Sequence, residues 1–343
     1  MKLLVLGGTR FLGRHLVEQA LERGHDVTLL HRGRSHSGLF PQAAHLLADR
    51  DGDLSVLAGG RWDAAIDTSA YVPRQVHALG PVLGTRVGHY QLVSSISAYA
   101  GFNPGETDED APTATLDDPA TQALTGATYG GLKALCEQAA QALFGSRCLI
   151  NRPGLLVGPH DPTGRFTWWV QRLLRGGSVL APGDPATPVQ FIDARDAAAW
   201  MLLQAERATA GVFNLTGPVP TATQPDPMTM GAFLDCARAT LNPQATLEWV
   251  GEQYLLDEGV APWSDLPVWL PQAQCGIHRT PLARAVATGL QTRPLAQTLM
   301  DTASWAATPA APPATPGTSV VQPSFGLSPE RETTLLAGWA TRA

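Results

Sequence analysis

The sequence predicts an α/β protein, a Rossmann-type doubly wound parallel sheet carrying a smaller, mostly C-terminal substrate part. Three observations carry that expectation. Short apolar runs alternate with helical patterns from the first residue, and a glycine-rich turn joins the first run to the first helix. In the second half Pro/Gly-rich connections interrupt shorter helices, and eight of the nine tryptophans lie at or after Trp168.

The elements follow in order. Lys2 to Leu6 reads as a strand of the buried parallel kind, after which Leu12, Leu16, Val17 and Leu21 recur at helical spacing. Gly24 closes that helix and Asp26 to Leu30 makes the next strand, completing a βαβ unit. Further strands are expected at 44–48, 64–67, 90–94, 148–150 and 212–215, with helical stretches between them. Residues 1–160 and 189–216 would form the dinucleotide-binding domain, and 161–188 with 217–343 the substrate-binding part. The segment 306–322, with Pro309, Pro312, Pro313 and Pro316 among Ala and Thr, reads as a loose linker. Ser328-Pro329-Glu330 beyond it carries the start signals of a terminal helix.

Composition narrows the class. At 343 residues the chain is long enough for about two domains. Its 44% hydrophobic and 16% charged residues exclude a disordered chain. The net charge of −6, without a polybasic block, argues against nucleic acid and anionic membranes as partners. No apolar run approaches the roughly 20 residues of a membrane span, and the first strand meets glycines without a cleavage site. Cys136, Cys148, Cys236 and Cys275 show neither CxxC nor ligand spacing, so no disulfide framework and no metal site are expected. A cytoplasmic protein acting on a small molecule fits these observations, with homodimer formation left open.

Gly7-Gly8-Thr9-Arg10-Phe11-Leu12-Gly13 follows a strand and opens a helix, the context in which a backbone turn approaches a pyrophosphate at a helix N-terminus. The second strand ends Leu30-His31-Arg32-Gly33-Arg34, offering arginines where an NAD site places a carboxylate. Arg32, with Arg34 or Arg10 as a second cation, suits a ribose 2′-phosphate, which favours NADP while leaving NAD open. Asp49 after the third strand is either an adenine acceptor or a turn aspartate.

Tyr129 and Lys133 stand four residues apart, on one face of a helix continuing through Glu137. A free phenol titrates near 10, so acid/base work near neutrality needs a shift of roughly 3 units, which a nearby lysine and a cationic nicotinamide can supply. Upstream, Ser94, Ser95 and Ser97 sit at the C-terminal end of a strand, where ligands of open α/β sheets bind. Ser95 is the natural hydroxyl to bond a substrate carbonyl, with Ser94 or Ser97 as alternatives, and Lys133 could hold the nicotinamide ribose. Tyr99 reads as packing.

Together the turn, the Ser95 strand and the Tyr129/Lys133 pair resemble the extended branch of the short-chain dehydrogenase/reductase superfamily, its NAD(P)-dependent epimerases, dehydratases and reductases. Arg152-Pro153-Gly154 and onward to Pro159 resembles the segment that lines the nicotinamide end in that branch, which makes Arg152 and Pro153 cofactor contacts by resemblance. Gln190 to Asp196 resembles the return into the Rossmann half. The resemblance implies Ser95, Tyr129 and Lys133 as the catalytic set. Arg10 stands where the branch usually has its middle glycine, as in atypical members, some of which are non-catalytic dinucleotide sensors or RNA-associated proteins. That reading is the alternative to an enzyme.

Between Gly158 and Asp196 lie His160, Arg165, Arg172, Arg175 and Arg195, set among Phe166, Trp168 and Trp169. Arginines converging on a cleft would suit a phosphate or carboxylate. At most one of Trp168 and Trp169 is expected at a pocket, and Trp249, Trp263 and Trp269 read as core or interface.

Overall fold

A computed structural model describes residues 1–35, 38–102, 107–221, 226–308 and 325–342. The strands are β1 (Lys2–Leu6), β2 (Asp26–His31), β3 (Ala44–Leu47), β4 (Trp62–Asp67), β5 (Val87–Val93), β6 (Cys148–Pro153), β7 (Leu156–Val157), β8 (Ser178–Pro182), β9 (Ile192–Asp193), β10 (Gly211–Leu215) and β11 (Thr246–Val250). The helices are α1 (Phe11–Glu22), α2 (Pro73–His77), α3 (Gly80–Leu83), α4 (Tyr129–Phe144), α5 (Arg165–Arg175), α6 (Ala194–Arg207), α7 (Met230–Leu241), α8 (Glu252–Asp257), α9 (Ala283–Ala287), α10 (Leu295–Ala306) and α11 (Pro329–Ala340).

Seven strands form one parallel sheet in the order β10-β6-β5-β4-β1-β2-β3. They are the seven that the apolar runs predict. In β1 the side chains of Leu3 and Val5 enter one core with α1 and α6, while Leu4 and Leu6 enter another with α2, α3 and α4. Because both faces are covered, the strand is apolar without alternation. Leu6 of β1 pairs with Leu30 of β2 on one side and with Asp67 of β4 on the other. The chain reverses direction across the sheet between β1 and β4, so a crevice opens beyond their carboxyl ends.

Two short parallel pairs, β7 with β9 and β8 with β11, escape the sequence reading. Two-residue strands have no period to detect, and β8 is bracketed by glycines and a proline. A third core gathers Phe166 and Trp169 of α5, Leu180 of β8, Phe233 of α7, Leu255 of α8, Trp269 and Leu335 of α11. Helix α11 starts where expected, with the Ser328 hydroxyl accepting the Arg331 N–H, and it sends Glu332 inward to Arg172 at 2.5 Å. Of the expected linker, Ala306 ends α10 and residues 309–322 lie outside the described residues.

Candidate active site

The crevice is a cavity of about 940 Å³, within the range of small-molecule and cofactor sites. Among the described residues its lining holds six Arg or Lys side chains, Arg10, Arg32, Arg34, Arg50, Lys133 and Arg165, against two acids, Asp49 and Asp51. In a chain of net charge −6 this concentration of positive charge marks a place for anions.

One end is the glycine turn. Gly7 and Gly8 adopt φ of +106° and +91°, conformations that L side chains rarely adopt, and a Cβ on Gly7 would lie 2.3 Å from Thr68 Oγ1. A Cβ on Gly13 would stand 2.8 Å from the Gly8 nitrogen, so only glycine lets α1 close onto the turn. Arg10 occupies ordinary extended backbone as the N-cap of α1, with φ of −136°, and its side chain is exposed. The arginine therefore departs from the usual middle glycine without backbone strain. A dinucleotide, the cofactor that this fold implies, fits the turn: the backbone is open to a pyrophosphate, and Thr9, Arg10, Phe11 and Leu12 line the cavity with the three glycines.

Arg32 and Arg34 are exposed beside this end. Asp49 lines the cavity, lies 3.9 Å from Arg34, and accepts the Asp51 N–H at 3.2 Å, so the turn role is occupied. Arg50, also in the lining, belongs to a buried pair that sequence reasoning did not find. Arg50 donates to Asp67 Oδ1 at 2.6 Å and Oδ2 at 2.8 Å, and the Tyr90 hydroxyl donates to the same carboxylate. Burial raises the Asp67 pKa, but the Arg50 charge outweighs it and holds the carboxyl below its ordinary value.

At the other end stand Ser95, Tyr129 and Lys133, all lining the cavity with Pro153. Ser95 caps the short 3₁₀ turn Ile96–Ala98, its hydroxyl accepting the Ser97 N–H at 3.1 Å. Tyr129 opens α4, and the two glycines after it explain how that helix arrives: a Cβ on Gly130 would meet the Ser97 carbonyl at 2.2 Å, and one on Gly131 the Leu116 side chain at 2.5 Å. Ser94 is committed elsewhere, donating to Glu137 at 2.5 Å. Tyr99 is packing as expected, with its hydroxyl on Asn214.

Lys133 is buried with Nζ donating to the carbonyls of Ala70 at 2.7 Å and Val93 at 2.5 Å, and burial lowers its pKa. Burial raises the Tyr129 pKa above its ordinary value, opposed by the Ser95 hydroxyl and the positive charge of Arg165. One expectation needs correction: Arg152 is buried and paired with Glu137 at 2.6 Å and lies outside the cavity lining, while Pro153 is part of it. Trp263 also differs from expectation: it lines the cavity, whereas Trp168 and Trp169 do not.

The family model described as the NAD dependent epimerase/dehydratase family matches residues 3–68 and 83–216. The chain belongs to that family. The match takes in the glycine turn, Ser95, Tyr129 and Lys133 of this epimerase/dehydratase-family protein and stops short of Trp263 and Ile277 on the cavity wall. The chain is 27% identical over 240 residues to an isoflavone reductase homolog of Zea mays, covering 64% of this chain and 70% of the relative. It is 27% identical over 238 residues to a chloroplast stem-loop binding protein of Arabidopsis thaliana, covering 63% of this chain and 58% of that protein. Among solved structures, UDP-glucuronic acid 4-epimerase from Bacillus cereus in complex with NAD superposes with a TM-score of 0.63 at 16% identity, over 89% of this chain and 96% of that one. A human epimerase family protein with NADPH gives 0.60 at 21% identity, over 89% and 99%. The likenesses to solved structures show the Rossmann-like α/β fold. Among the described residues no helix is long and apolar enough to cross a membrane, and no cluster of His, Cys, Asp or Glu could hold a metal ion.

Proposed function

We propose that the protein is an NADP-preferring oxidoreductase, epimerase or dehydratase of the extended short-chain type, acting at a hydroxyl-bearing carbon of a small substrate. The observation that carries this reading is the convergence of Ser95, Tyr129 and Lys133 on the same cavity as the glycine turn. The bound nicotinamide would supply the hydride acceptor or donor. The turn from Gly7 to Gly13 would hold the pyrophosphate, and Arg32 with Arg34 or Arg10 the 2′-phosphate. Lys133 has two of its three N–H donors on backbone carbonyls, which leaves one for a ribose hydroxyl. Ser95 would bond the substrate oxygen while the Tyr129 hydroxyl gives or takes its proton. Since burial is the largest influence and sets the phenol high, a bound cation would bring it toward neutrality, and this couples proton transfer to cofactor occupancy.

The name of the stem-loop binding relative suggests RNA association as the rival reading. The negative net charge and the gathering of six cations in a concave cavity support the enzyme instead. Titration of NADPH and NADH followed by fluorescence, then turnover of a panel of alcohols and carbonyl compounds by wild type and Tyr129→Phe, tests it. The expected outcome is saturable NADPH binding by both proteins with turnover about a hundred-fold or more lower in the variant. Equal turnover by the two proteins would sink the catalytic reading. Nucleotide retained through purification would favour an epimerase, which keeps its cofactor through the cycle.

A further inference from the structure

Of the basic residues between Gly158 and Asp196, the fold commits most to protein partners. Arg172 is bonded to Glu332 and to two backbone carbonyls, and Arg175 is exposed at 4.0 Å from the same carboxylate. Arg195 is held by Asp193 and Asp301. His160 packs against the rings of His15 and Trp305.

Arg165 differs. It lines the cavity with Tyr129, and among the described residues no carboxylate comes within ion-pair distance of it. Its Nε donates to Thr163 Oγ1 at 3.1 Å, and that hydroxyl donates in turn to Asp161 at 2.8 Å. Asp161 is thus hydrogen-bonded to Thr163, and its charge acts on the arginine from beyond ion-pair distance. The rings of Trp263 and Phe325 lie 5.6 and 5.8 Å from the guanidinium, so its surroundings are aromatic. Among the described residues Nη1 and Nη2 meet no acceptor, and these are the two nitrogens of the fork that binds oxyanions bidentately. Trp263 stands in the left-handed region, with φ of 66°, held there by its N–H on the Trp269 carbonyl and by the Ala261–Asp265 turn. Such a conformation persists only where the surroundings enforce it.

We infer that Arg165 is the oxyanion-binding residue at the substrate end of the cavity, so that the substrate carries a carboxylate or phosphate close to the carbon served by Tyr129. The inference rests on the proposed hydride transfer for the word substrate, but not for the binding itself. A bound anion would also neutralise the guanidinium, whose positive charge lowers the Tyr129 phenol.

The test is calorimetric titration of the full chain, with and without saturating NADP⁺, using malonate in one arm and inorganic phosphate in the other. Wild type is expected to bind one of the two saturably, and the arm that responds names the oxyanion. Arg165→Gln should weaken that binding about ten-fold or more, the loss of a charge-assisted bond. Arg165→Lys, which keeps the charge but not the fork, should fall between them. The NADP⁺ affinity of both variants should stay within two-fold of wild type. Absence of saturable binding by wild type, equal binding by Arg165→Gln, or a parallel loss of NADP⁺ affinity would each overturn the assignment. Failure of NADP⁺ to bind wild type would instead strike the function proposed above, and the titrations without nucleotide would still report on Arg165.

Discussion

The Arg152 guanidinium clasps the Glu137 carboxylate, Nη2 to Oε2 at 2.6 Å and Nε to Oε1 at 3.0 Å, and each side chain is 4% exposed. Ser94 donates to the same carboxylate, and the Arg152 guanidinium lies 4.5 Å from the centre of the Tyr99 ring. The pair ties α4, which carries Tyr129 and Lys133, to strand β6 beneath it. Removing one partner leaves a buried charge alone, so Glu137→Ala should lose about 3–5 kcal/mol in urea unfolding. Pairing it with Arg152→Met should recover most of that loss. A single variant as stable as wild type would show that the pair is not the tie.

Gly130 sets two effects against each other. Alanine normally stabilises a helix by about 1 kcal/mol over glycine, but here its methyl would stand 2.2 Å from the Ser97 carbonyl. Backbone cannot yield as a flexible side chain can, so Gly130→Ala should destabilise by about 1–3 kcal/mol and move Tyr129 away from Ser95. Thermal unfolding gives the sign, and a raised Tm would refute the close approach.

Cofactor choice has its own test at the mouth of the cavity. Arg32→Asp removes a cation and adds an anion where the 2′-phosphate is proposed to sit. NADPH affinity should fall by about ten-fold or more while NADH affinity is nearly kept, as expected for charge-assisted bonds to one group only. Equal losses for the two nucleotides would take Arg32 out of the site.

His278 makes stability depend on pH. Burial pushes its imidazole down to about 4, against the opposing effect of its bond to the Val268 carbonyl. Because the folded value lies below that of a free histidine, near 6.5, the unfolded chain takes up the proton first as pH falls. The contribution of the neutral ring is therefore complete above about 6.5 and is lost as pH descends toward 4, by about 2 kcal/mol between pH 7 and 5. His278→Gln can keep the bonds to the Val268 carbonyl and the Gln190 N–H without titrating, so its stability decrement between those pH values should be smaller by that amount. His31 and His89, whose pKa values burial also lowers, contribute equally to both proteins and cancel in the comparison. Matching decrements would remove His278 from the account.

What the amino-acid order determined by itself is the local architecture: seven apolar runs that became the seven sheet strands, the glycine turn, the four-residue spacing of Tyr129 and Lys133, and the capped start of α11. These are legible because each depends on backbone preference and on side-chain period within a few residues. The charges were decided only in three dimensions. Arg152 faces Glu137 across 15 residues, Lys133 reaches Ala70 across 63, and Arg172 meets Glu332 across 160, while Arg165 is left facing the cavity beside Trp263. Periodicity tells which face of an element is buried, but not which distant partner meets it there. A guanidinium's role follows from that partner, because desolvation compels a buried charge to find one and leaves the unmatched one as the place for a ligand.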